Sequence, residues 1–441
     1  MKYPRYPAYK DSGVEWIGEI PNEWKVKKLK WCLSKIESGN RESGGGNQLD
    51  DGIFSIGGEH IDWEGNLNLT NPKYISESFY DDLNSGKVMV SDILLVKDGA
   101  TIGKVAFVQK LPDIKIAINE HVFLIRTNNL LYSKFLYYVL YSKIGQAQIE
   151  LNVRGAAQGG LNLSFVQRLF VTIPSIELQK EVSLFLDRKI EQLNRFIHKE
   201  SQFIELLKES RKAIITNAVT KGLDHSVPMK NSGVVWIGEI PEHWKLTRIK
   251  FVSEVTMGQS PSSDFYLDNG DLPFLQGCAE FGEIFPNPKH YCEVATKTSR
   301  PGDILLSVRA PVGEINLSDR VYGIGRGLCS IRPLKDKGDY LKWYLFAAKN
   351  KLISISNGST YDAVAIGDVK NLEIPISMVE FEQNAICEYL NIETTKIELI
   401  ISKHLKLIDL LKEYKASLIS QAVTGKIDVR GFAVPTDSNS A

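Results

Sequence analysis

Polar side chains suited to nucleic-acid bases occur in glycine-bearing loops of this 441-residue chain. Arginine and lysine donate to guanine, asparagine and glutamine pair with adenine, and hydroxyl and backbone N–H groups bond phosphates. These side chains are densest in the loop pair Gly39–Gln48 and Arg154–Asn162, and again in Gly258–Asp264 and Asn357–Asp362. Taken singly, each is also explained as a solvated loop residue, with the glycines serving turns. The candidate contact residues are Asn40, Arg41, Asn47, Gln48, Lys97, Thr101, Lys104, Arg154 and Gln158 in the first half, and Gln259, Ser260, Ser262, Arg309, Arg326, Asn357, Ser359, Thr360 and Tyr361 in the second.

The motifs of several catalytic chemistries are missing. Adenine methylation uses a motif of Asp or Asn, two prolines and an aromatic residue, but the chain contains no Pro-Pro pair, and no glycine-rich turn suits S-adenosylmethionine. The segment Gly99–Val105 approaches a phosphate-binding loop, yet it has three residues between its glycines and Val105 where a Mg²⁺-binding hydroxyl is needed. A tight turn between strands is the better interpretation. The seven histidines show no metal spacing. We therefore expect no catalysis, cofactor or metal in this chain, although a nuclease cluster without fixed spacing stays open.

Composition indicates a reduced protein of at least two domains. Lysine plus arginine equals aspartate plus glutamate at 53 each, so a nucleic-acid surface would have to be a local patch or be completed by a basic partner. No apolar run reaches the roughly 18–20 residues of a membrane helix. The five cysteines are scattered without a CxxC pair, and the N-terminus lacks the apolar core of a secretory signal. A cytoplasmic protein with no membrane contact is expected.

One stretch occurs twice. Asp11–Lys30 and Asn231–Lys250 share SGV, WIGEIP and a following tryptophan at a constant offset of 220 residues. A match of this length at fixed spacing predicts a tandem duplication. Glycine and proline break the stretch, so it is interpreted as an extended, packed linker. The side chains expected to be buried are Trp16, Ile17, Ile20 and Trp24.

Each copy of the repeat is followed by a segment with α+β character. In the first, short apolar runs predict strands and one helically spaced run predicts a helix. In the second, GDILLSV, LCSIR and LKWYLF match SDILLVK, VFLIR and FLYYVL of the first, whereas the loops between them differ. The predicted elements are strands at Ile53–Ile56, Asp92–Val96, Lys104–Val108 and Val122–Ile125, and a helix at Ser133–Ile144.

Two long segments without glycine or proline, Ser175–Lys221 and Ile376–Thr424, carry apolar residues at heptad-like spacing. Each predicts a helix of roughly 60–70 Å, with Gly222 and Gly425 as stops. Helices so long and one-sided need a partner. Pseudo-two-fold symmetry would make them antiparallel, each burying the stripe of the other. The balanced charges of their outer faces fit solvation or docking of a partner.

The repeated SGVEWIGEIPNEWKVKKLK and SGVVWIGEIPEHWKLTRIK, with DILLVKDGATIGKV, DILLSVRAPVGEI and the helix starts IELQKEVSLFLDRKIEQL and FEQNAICEYLNIETTKI, resemble the specificity subunit of type I restriction–modification systems. The resemblance covers nearly the whole chain. It implies two target recognition domains that each bind one half of a split double-stranded DNA sequence, and long helices that act as a ruler and dock two methyltransferase subunits. It also implies motor–nuclease subunits in the larger complex, with S-adenosylmethionine, ATP and Mg on the partners.

The fold expected is therefore α+β, with two globular target recognition domains separated by two long antiparallel coiled-coil helices and an internal pseudo-two-fold duplication. The competing hypotheses are a coiled-coil scaffold with two protein-binding domains and a self-contained nuclease or methyltransferase. The predicted segments are an N-terminal arm and linker at 1–28, recognition domain 1 at 29–174, a central helix at 175–221, a linker at 222–248, recognition domain 2 at 249–375, a C-terminal helix at 376–425 and a tail at 426–441.

Overall fold

The chain forms two units in the computed structural model, which describes residues 3–43, 49–112, 114–154, 159–334, 338–356 and 363–432, with only the backbone of Arg154. Unit 1 combines the chain up to Lys199 with the segment from Lys406 onward, and unit 2 is Glu200–Leu405. Each unit therefore contains one recognition-type domain, half of the first long helix and half of the second.

Unit 1 is built from short strands and a few helices before the long helix α4. Its strands are β1 Tyr9–Asp11, β2 Glu19–Pro21, β3 Lys25–Lys28, β4 Leu33–Ser38, β5 Ile53–Ile56, β6 Tyr74–Ile75, β7 Ile93–Val96, β8 Val105–Phe107, β9 Ile116–Ile118, β10 Val122–Thr127, β11 Val153–Arg154, β12 Gly160–Leu161 and β13 Phe170–Ile173. Its helices are α1 Glu77–Asp82, α2 Ser133–Tyr141, α3 Lys143–Glu150 and the start of α4 Ile176–Lys221.

Unit 2 repeats this plan with different connections. Its strands are β14 Met229–Asn231, β15 Glu239–Pro241, β16 Lys245–Arg248, β17 Ser253–Met257, β18 Pro273–Leu275, β19 His290–Tyr291, β20 Thr298–Ser299, β21 Ile304–Ser307, β22 Ile315–Leu317, β23 Tyr322–Ile324, β24 Leu328–Pro333 and β25 Glu373–Ile376. Its helices are α5 Ile249–Val252, α6 Gly338–Ile355, α7 Ile366–Asn371 and the start of α8 Glu380–Val423.

Matching sheets carry each unit. The antiparallel order β4-β10-β7-β8 in unit 1 corresponds to β17-β24-β21-β22 in unit 2. A second sheet pairs β5 with β9 in parallel, as β18 pairs with β23. Strand β7 is apolar throughout because both of its faces are covered: Ile93 and Leu95 lie in one core cluster, and Leu94 and Val96 in another. Side chains alternate along a strand, so a continuous apolar run is what two covered faces require.

A partly buried ion pair anchors the four-stranded sheet of each unit, beside the start of β7 or β21. Arg126 donates from Nε to Asp92 Oδ1 at 2.6 Å and from Nη2 to Oδ2 at 2.9 Å. Arg332 makes the same two bonds to Asp303, at 2.9 Å each. These hydrogen bonds raise the pKa of both arginines above the ordinary value, although partial burial opposes the rise. The planar geometry of two parallel bonds requires arginine rather than lysine. This pair was not predicted from the sequence.

The long helices pair in opposite directions within each unit. In unit 1, Leu178 and Leu186 near the start of α4 share a core cluster with Leu418 near the end of α8. In unit 2, Val219 at the end of α4 clusters with Leu390 near the start of α8. This confirms the pairing predicted from the heptad stripes and the antiparallel direction predicted from the duplication.

Polar contacts agree with this direction. In unit 2, Glu200 of α4 bonds His404 at 2.5 Å, while Arg211, farther along α4, bonds Glu398, which comes earlier in α8, at 2.7 Å.

The repeat segment packs against a helix end in each unit. Trp24 and Trp244 are almost completely buried. Gly425, which follows α8 with a φ of +70°, lies so close to Pro21 and Trp24 that a Cβ would be 2.5 Å from Pro21 Cδ. Gly222 has a φ of +74°, and a Cβ at this position would lie 3.3 Å from Trp244 Cζ2. Glycine is thus needed as the helix stop both for its backbone and for its size.

Three expectations need correction. Trp16 is 46% exposed, so its predicted burial is wrong, whereas Ile17, Ile20 and Trp24 are buried as expected. The helix predicted at Ser133–Ile144 is interrupted at Ser142, whose hydroxyl accepts from Gly145 N and starts α3.

The second long helix begins at Glu380 rather than Ile376. Ile376 instead ends β25, where it is paired with Lys245 of β16. Neither glycine nor proline occurs between Ile376 and the start of the helix, so these residues could not mark the boundary.

Candidate functional site

Five loops of unit 1 meet at one end of its two sheets. Strands β4, β5, β7 and β9 all end there, and β10 begins there. Backbone hydrogen bonds tie the loops together: Gly39 N to Val122 O at 3.3 Å, Asn119 N to Ile56 O at 2.9 Å, Lys97 N to His121 O at 2.9 Å and Leu161 N to Lys97 O at 2.6 Å. We call this end of unit 1 the loop face.

Unit 2 has the same loop face, built with the same bonds. Gly258 N donates to Leu328 O at 2.9 Å, Gly325 N to Leu275 O at 2.7 Å, Val308 N to Gly327 O at 2.9 Å and Val364 N to Val308 O at 2.8 Å. Isolated bridges complete the match, Asp98 with Gly160 in unit 1 and Arg309 with Ala363 in unit 2. The backbone bonds therefore place Asp98 and Arg309 at equivalent positions, and likewise Glu120 and Arg326.

The loop face of unit 1 carries charges of both signs in mutual contact. His121 lies between two carboxylates, with Nδ1 2.5 Å from Asp98 Oδ1 and Nε2 3.3 Å from Glu120 Oε1. Lys97 Nζ is 3.7 Å from Asp98 Oδ2, and Arg41 Nε is 3.7 Å from Glu120 Oε1. These side chains are partly or largely exposed. Ion pairs that solvent reaches are screened and therefore weak, so a ligand can replace them at small cost.

Close by, Glu59 hydrogen-bonds Lys73. Burial raises the pKa of Glu59, but the hydrogen bond from Lys73 and the backbone outweigh it and lower the pKa below its ordinary value. Glu59 therefore stays ionised. Together with Asp98 and Glu120 it makes the loop face of unit 1 rich in hydrogen-bond acceptors.

The loop face of unit 2 differs because its two arginines have no side-chain partner among the described residues. Arg309 and Arg326 are exposed. The backbone around Arg326 is nevertheless firmly held, since its N–H donates to Ser260 Oγ at 3.0 Å and Gly327 N donates to Gln276 O at 3.2 Å. Two guanidinium groups on a fixed backbone are donors ready for a ligand.

Most described candidate residues lie on these faces. In unit 1 they are Asn40, which donates to Ser85 Oγ at 3.3 Å, Arg41, Lys97 and Thr101. Lys104 lies on the β7–β8 turn, where its carbonyl accepts from Val96 N at 2.9 Å. The glycines of this turn, Gly99 and Gly103, have positive φ, so the tight-turn interpretation of this segment is confirmed.

In unit 2, Gln259 donates from its backbone to Ile324 O at 2.8 Å and accepts from Thr296 at 3.4 Å. Ser260 holds Arg326, and Ser262 donates to Asp264 at 3.1 Å. Contact of any of these residues with a nucleic acid stays a prediction. The remaining candidates lie outside the described residues; they are Asn47, Gln48, Gln158, Asn357, Ser359, Thr360, Tyr361 and the side chain of Arg154.

Sequence reasoning missed Asp98, Glu120 and His121, which contact its candidates directly. A signal was present for Asp98: once SDILLVK is matched with GDILLSV, the next residues are Asp98 and Arg309. The same signal was present for Glu120 and His121, because they directly precede VFLIR as Arg326 and Gly327 directly precede the matched LCSIR. Comparing the two halves at these positions would have shown the difference in charge.

Residues 21–206 and 241–408 match the family described as "Type I restriction modification DNA specificity domain". The chain belongs to this family. The putative type I restriction enzyme MjaX specificity subunit of Methanocaldococcus jannaschii is 31% identical over 423 residues, covering 94% of this chain and 96% of that protein. The MjaVIII specificity subunit of the same organism is 24% identical, with 78% and 80% covered.

Solved structures share the specificity-subunit fold. The HsdS subunit from Thermoanaerobacter tengcongensis has a TM-score of 0.55 at 22% identity and covers 92% of this chain and 98% of its own. A chain described under "Structural basis underlying complex assembly and conformational transition of the type I R-M system" has a TM-score of 0.69 at 23% identity, with 92% and 99% covered. Both family segments include one loop face each, so the duplication in the structure coincides with two specificity domains.

Among the described residues, no helix has the length and apolar character that crossing a membrane requires. In the same part of the chain, no three His, Cys, Asp or Glu side chains are placed to hold a metal ion.

Proposed function

We propose that this specificity subunit recognises a bipartite, asymmetric double-stranded DNA target, with one half-site bound by the loop face of each unit. The observation that carries this proposal is the pair of loop faces: their backbones are joined by the same hydrogen bonds, yet their side chains differ. A repeated scaffold with different polar side chains suits the reading of two different sequences. A protein-binding scaffold is not favoured, because both halves match a DNA specificity domain.

In this proposal the chemistry belongs to partner subunits. Two methyltransferase subunits would bind S-adenosylmethionine, and motor–nuclease subunits would bind ATP and Mg, in the cytoplasm. The specificity subunit itself would be non-catalytic. Its equal numbers of basic and acidic residues support the need for a partner, since little affinity can come from counterion release by a neutral chain.

The long helices offer a docking surface for the methyltransferase subunits. In unit 1, Leu184 and Phe196 of α4 are 46% and 45% exposed, and Leu410 of α8 is 53% exposed. In unit 2, Leu206 of α4 is 61% exposed and Leu399 of α8 is 55% exposed. Large apolar side chains exposed along both helices support the proposal that these helices dock a partner.

The test is methylome mapping in a host that carries this chain and its partner subunits, followed by an electrophoretic shift on DNA with the mapped motif. We expect one bipartite motif, and a shift that is much stronger when the methyltransferase subunit is added. A host with active partners and no bipartite motif would contradict the proposal, as would equal binding to DNA with and without the motif.

A further inference from the structure

The two loop faces carry opposite charges at two equivalent positions. Lys97 N bonds His121 O in unit 1, and Val308 N bonds Gly327 O in unit 2. The residues next to these bonds are therefore counterparts: Asp98 with Arg309, and Glu120 with Arg326. One half presents two carboxylates where the other presents two guanidinium groups.

We propose that these paired positions read bases, with Arg309 and Arg326 contacting guanine and Asp98 and Glu120 accepting hydrogen bonds from base amino groups. A guanidinium group donates two bonds to guanine O6 and N7, whereas a carboxylate accepts from the amino group of cytosine. This assignment rests on the proposed function, and it identifies the positions that distinguish the two half-sites. It follows that the half-site bound by unit 2 contains guanine.

The backbone around Arg326 supports base reading rather than loose phosphate contact. Flanking glycines allow a close approach to the neighbouring loop: a Cβ on Gly325 would lie 3.0 Å from Gln276 Cα, and one on Gly327 would lie 2.5 Å from Gln276 O. Together with the bond from Arg326 N to Ser260 Oγ, this packing fixes where the side chain starts. A fixed Cα restricts which base edge the guanidinium group can reach, and this gives discrimination as well as affinity.

Arg309 starts from an equally fixed backbone. It is bridged to Ala363, and the neighbouring Val308 is bonded on both sides, to Gly327 O and from Val364 N. Because Val308 and Gly327 are opposed in this antiparallel pairing, Arg309 and Arg326 emerge from facing positions of adjacent strands. Two donors at neighbouring positions can contact the same or successive base pairs.

The side chains that contact the unit 1 carboxylates are consistent with base reading by Asp98 and Glu120. Asp98 and Glu120 are held by His121, Lys97 and Arg41 in exposed pairs of 2.5–3.7 Å. Lys97 and Arg41 are cations that offset the repulsion between these carboxylates and DNA phosphates, so that the acceptors can enter the groove. Unit 2 needs no such compensation, because Arg309 and Arg326 are themselves cations.

The experiment measures methylation of a DNA library with randomised half-sites by the complex of this subunit with its methyltransferase partner. Arg309→Ala and Arg326→Ala should each lower the preference for guanine at a position of one half-site roughly 10- to 100-fold, leaving the other half-site unchanged. Asp98→Asn should relax only the other half-site. Arg326→Lys keeps the charge but not the two-bond geometry, so it should relax the same position as Arg326→Ala.

The control is Arg320→Ala, which removes an exposed arginine paired with Asp319 away from the loop face and should leave the motif unchanged. An unchanged motif in Arg309→Ala and Arg326→Ala would overturn the proposal. The proposal would also fail if Arg326→Ala weakened methylation equally on all library sequences and Arg326→Lys restored it, because that result indicates a phosphate contact. A relaxed position that is an A·T pair would also refute the guanine assignment. If the wild-type complex selects no bipartite site, the proposed function fails instead.

Discussion

Backbone conformation at single residues shows how the two halves have diverged. Ser91 precedes β7 with a φ of +73°, and the equivalent Gly302 has a φ of +86°. Side chains other than glycine are strained in this left-handed region by about 1 kcal/mol. Unit 1 therefore tolerates a strain that unit 2 avoids.

Gly302→Ala should lower the free energy of unfolding by about 1 kcal/mol, for conformational reasons alone. A Cβ at Gly302 would meet nothing within 4 Å, so no clash contributes. Gly367→Ala is the matched control: it also has open space but lies in helix α7, where alanine should stabilise by up to about 1 kcal/mol. Denaturant unfolding of both variants checks the opposite signs, and a loss in both would contradict this explanation.

The repeated tryptophans are equally buried but differently bonded. Trp244 donates from Nε1 to Glu382 Oε1 at 3.0 Å, whereas Trp24 Nε1 has no hydrogen-bond partner among the described residues. Glu382 also accepts from Ser377 and contacts His243 at 3.0 Å. Burial raises the pKa of Glu382, but these hydrogen bonds outweigh it and lower the pKa below its ordinary value.

The lowered pKa predicts an acid-sensitive contribution to stability. A carboxylate with a lowered folded-state pKa stabilises above its unfolded-state pKa, and this stability is lost as the pH falls through the folded-state value. Glu382→Gln should therefore lower the free energy of unfolding by about 1–3 kcal/mol at neutral pH, and by less in acid. Glu380→Gln, at the exposed first residue of the same helix, should change the free energy of unfolding by less than about 1 kcal/mol. Unfolding curves at several pH values measure both, and a pH-independent loss would rule out this role.

Among the elements, the long helices set the frame for both units. Each unit pairs the start of one helix with the end of the other through apolar clusters and cross-helix contacts such as Lys415 with Asn194 at 3.1 Å. Lengthening one helix alone shifts its heptads against the partner, since side chains face the seam only at fixed spacing. The lengths of α4 and α8 are therefore coupled, because a change in one helix requires a matching change in the other.

Inserting one heptad into Glu191–Lys208 should prevent assembly or change the spacing of the recognised half-sites. A matched heptad placed in α8 between Glu398 and Lys415 should restore the pairing and lengthen the spacer by about 10 Å, or about three base pairs. Methylome mapping reads the spacer directly, with both half-site sequences as internal controls. An unchanged spacer in the double insertion would show that the helices do not act as a ruler.

For the whole molecule, duplication permits the halves to change independently. Each loop face is completed within its own unit. The repeat segment is nearly identical in the two halves and packs on a helix end, so it is a joint between domain and helix and cannot distinguish two sequences.

Exchanging Leu29–Ile173 for the corresponding segment of another family member should change one half of the methylated motif and leave the other half and the spacer intact. The reciprocal control exchanges Ile249–Pro375 and should change only the opposite half. Methylome mapping of both chimaeras tests this independence. A chimaera that alters both halves, or an active one that alters neither, would contradict the two-reader arrangement.

The sequence by itself determined the duplication, the helices and the scaffold strands. Identical motifs at a fixed offset, heptad spacing in α4 and the continuous apolar run of β7 are local signals with direct physical causes: repeated ancestry, a helical seam and a strand covered on both faces. The break at Ser142 escaped prediction because apolar spacing continues across it, and Trp16 because an aromatic residue in an apolar stretch does not reveal which side faces solvent.

Only the tertiary structure decided which loops meet. The loop face joins segments near Gly39, Asn119 and Gly160 through backbone bonds between residues far apart in the chain. The match of VFLIR with LCSIR pairs Glu120 with Arg326 in the sequence, but only the register of adjacent strands places these two residues opposite Asp98 and Arg309. Hydrogen bonding between strands is a property of the folded sheet. It places Asp98 beside Glu120 in one half and Arg309 beside Arg326 in the other.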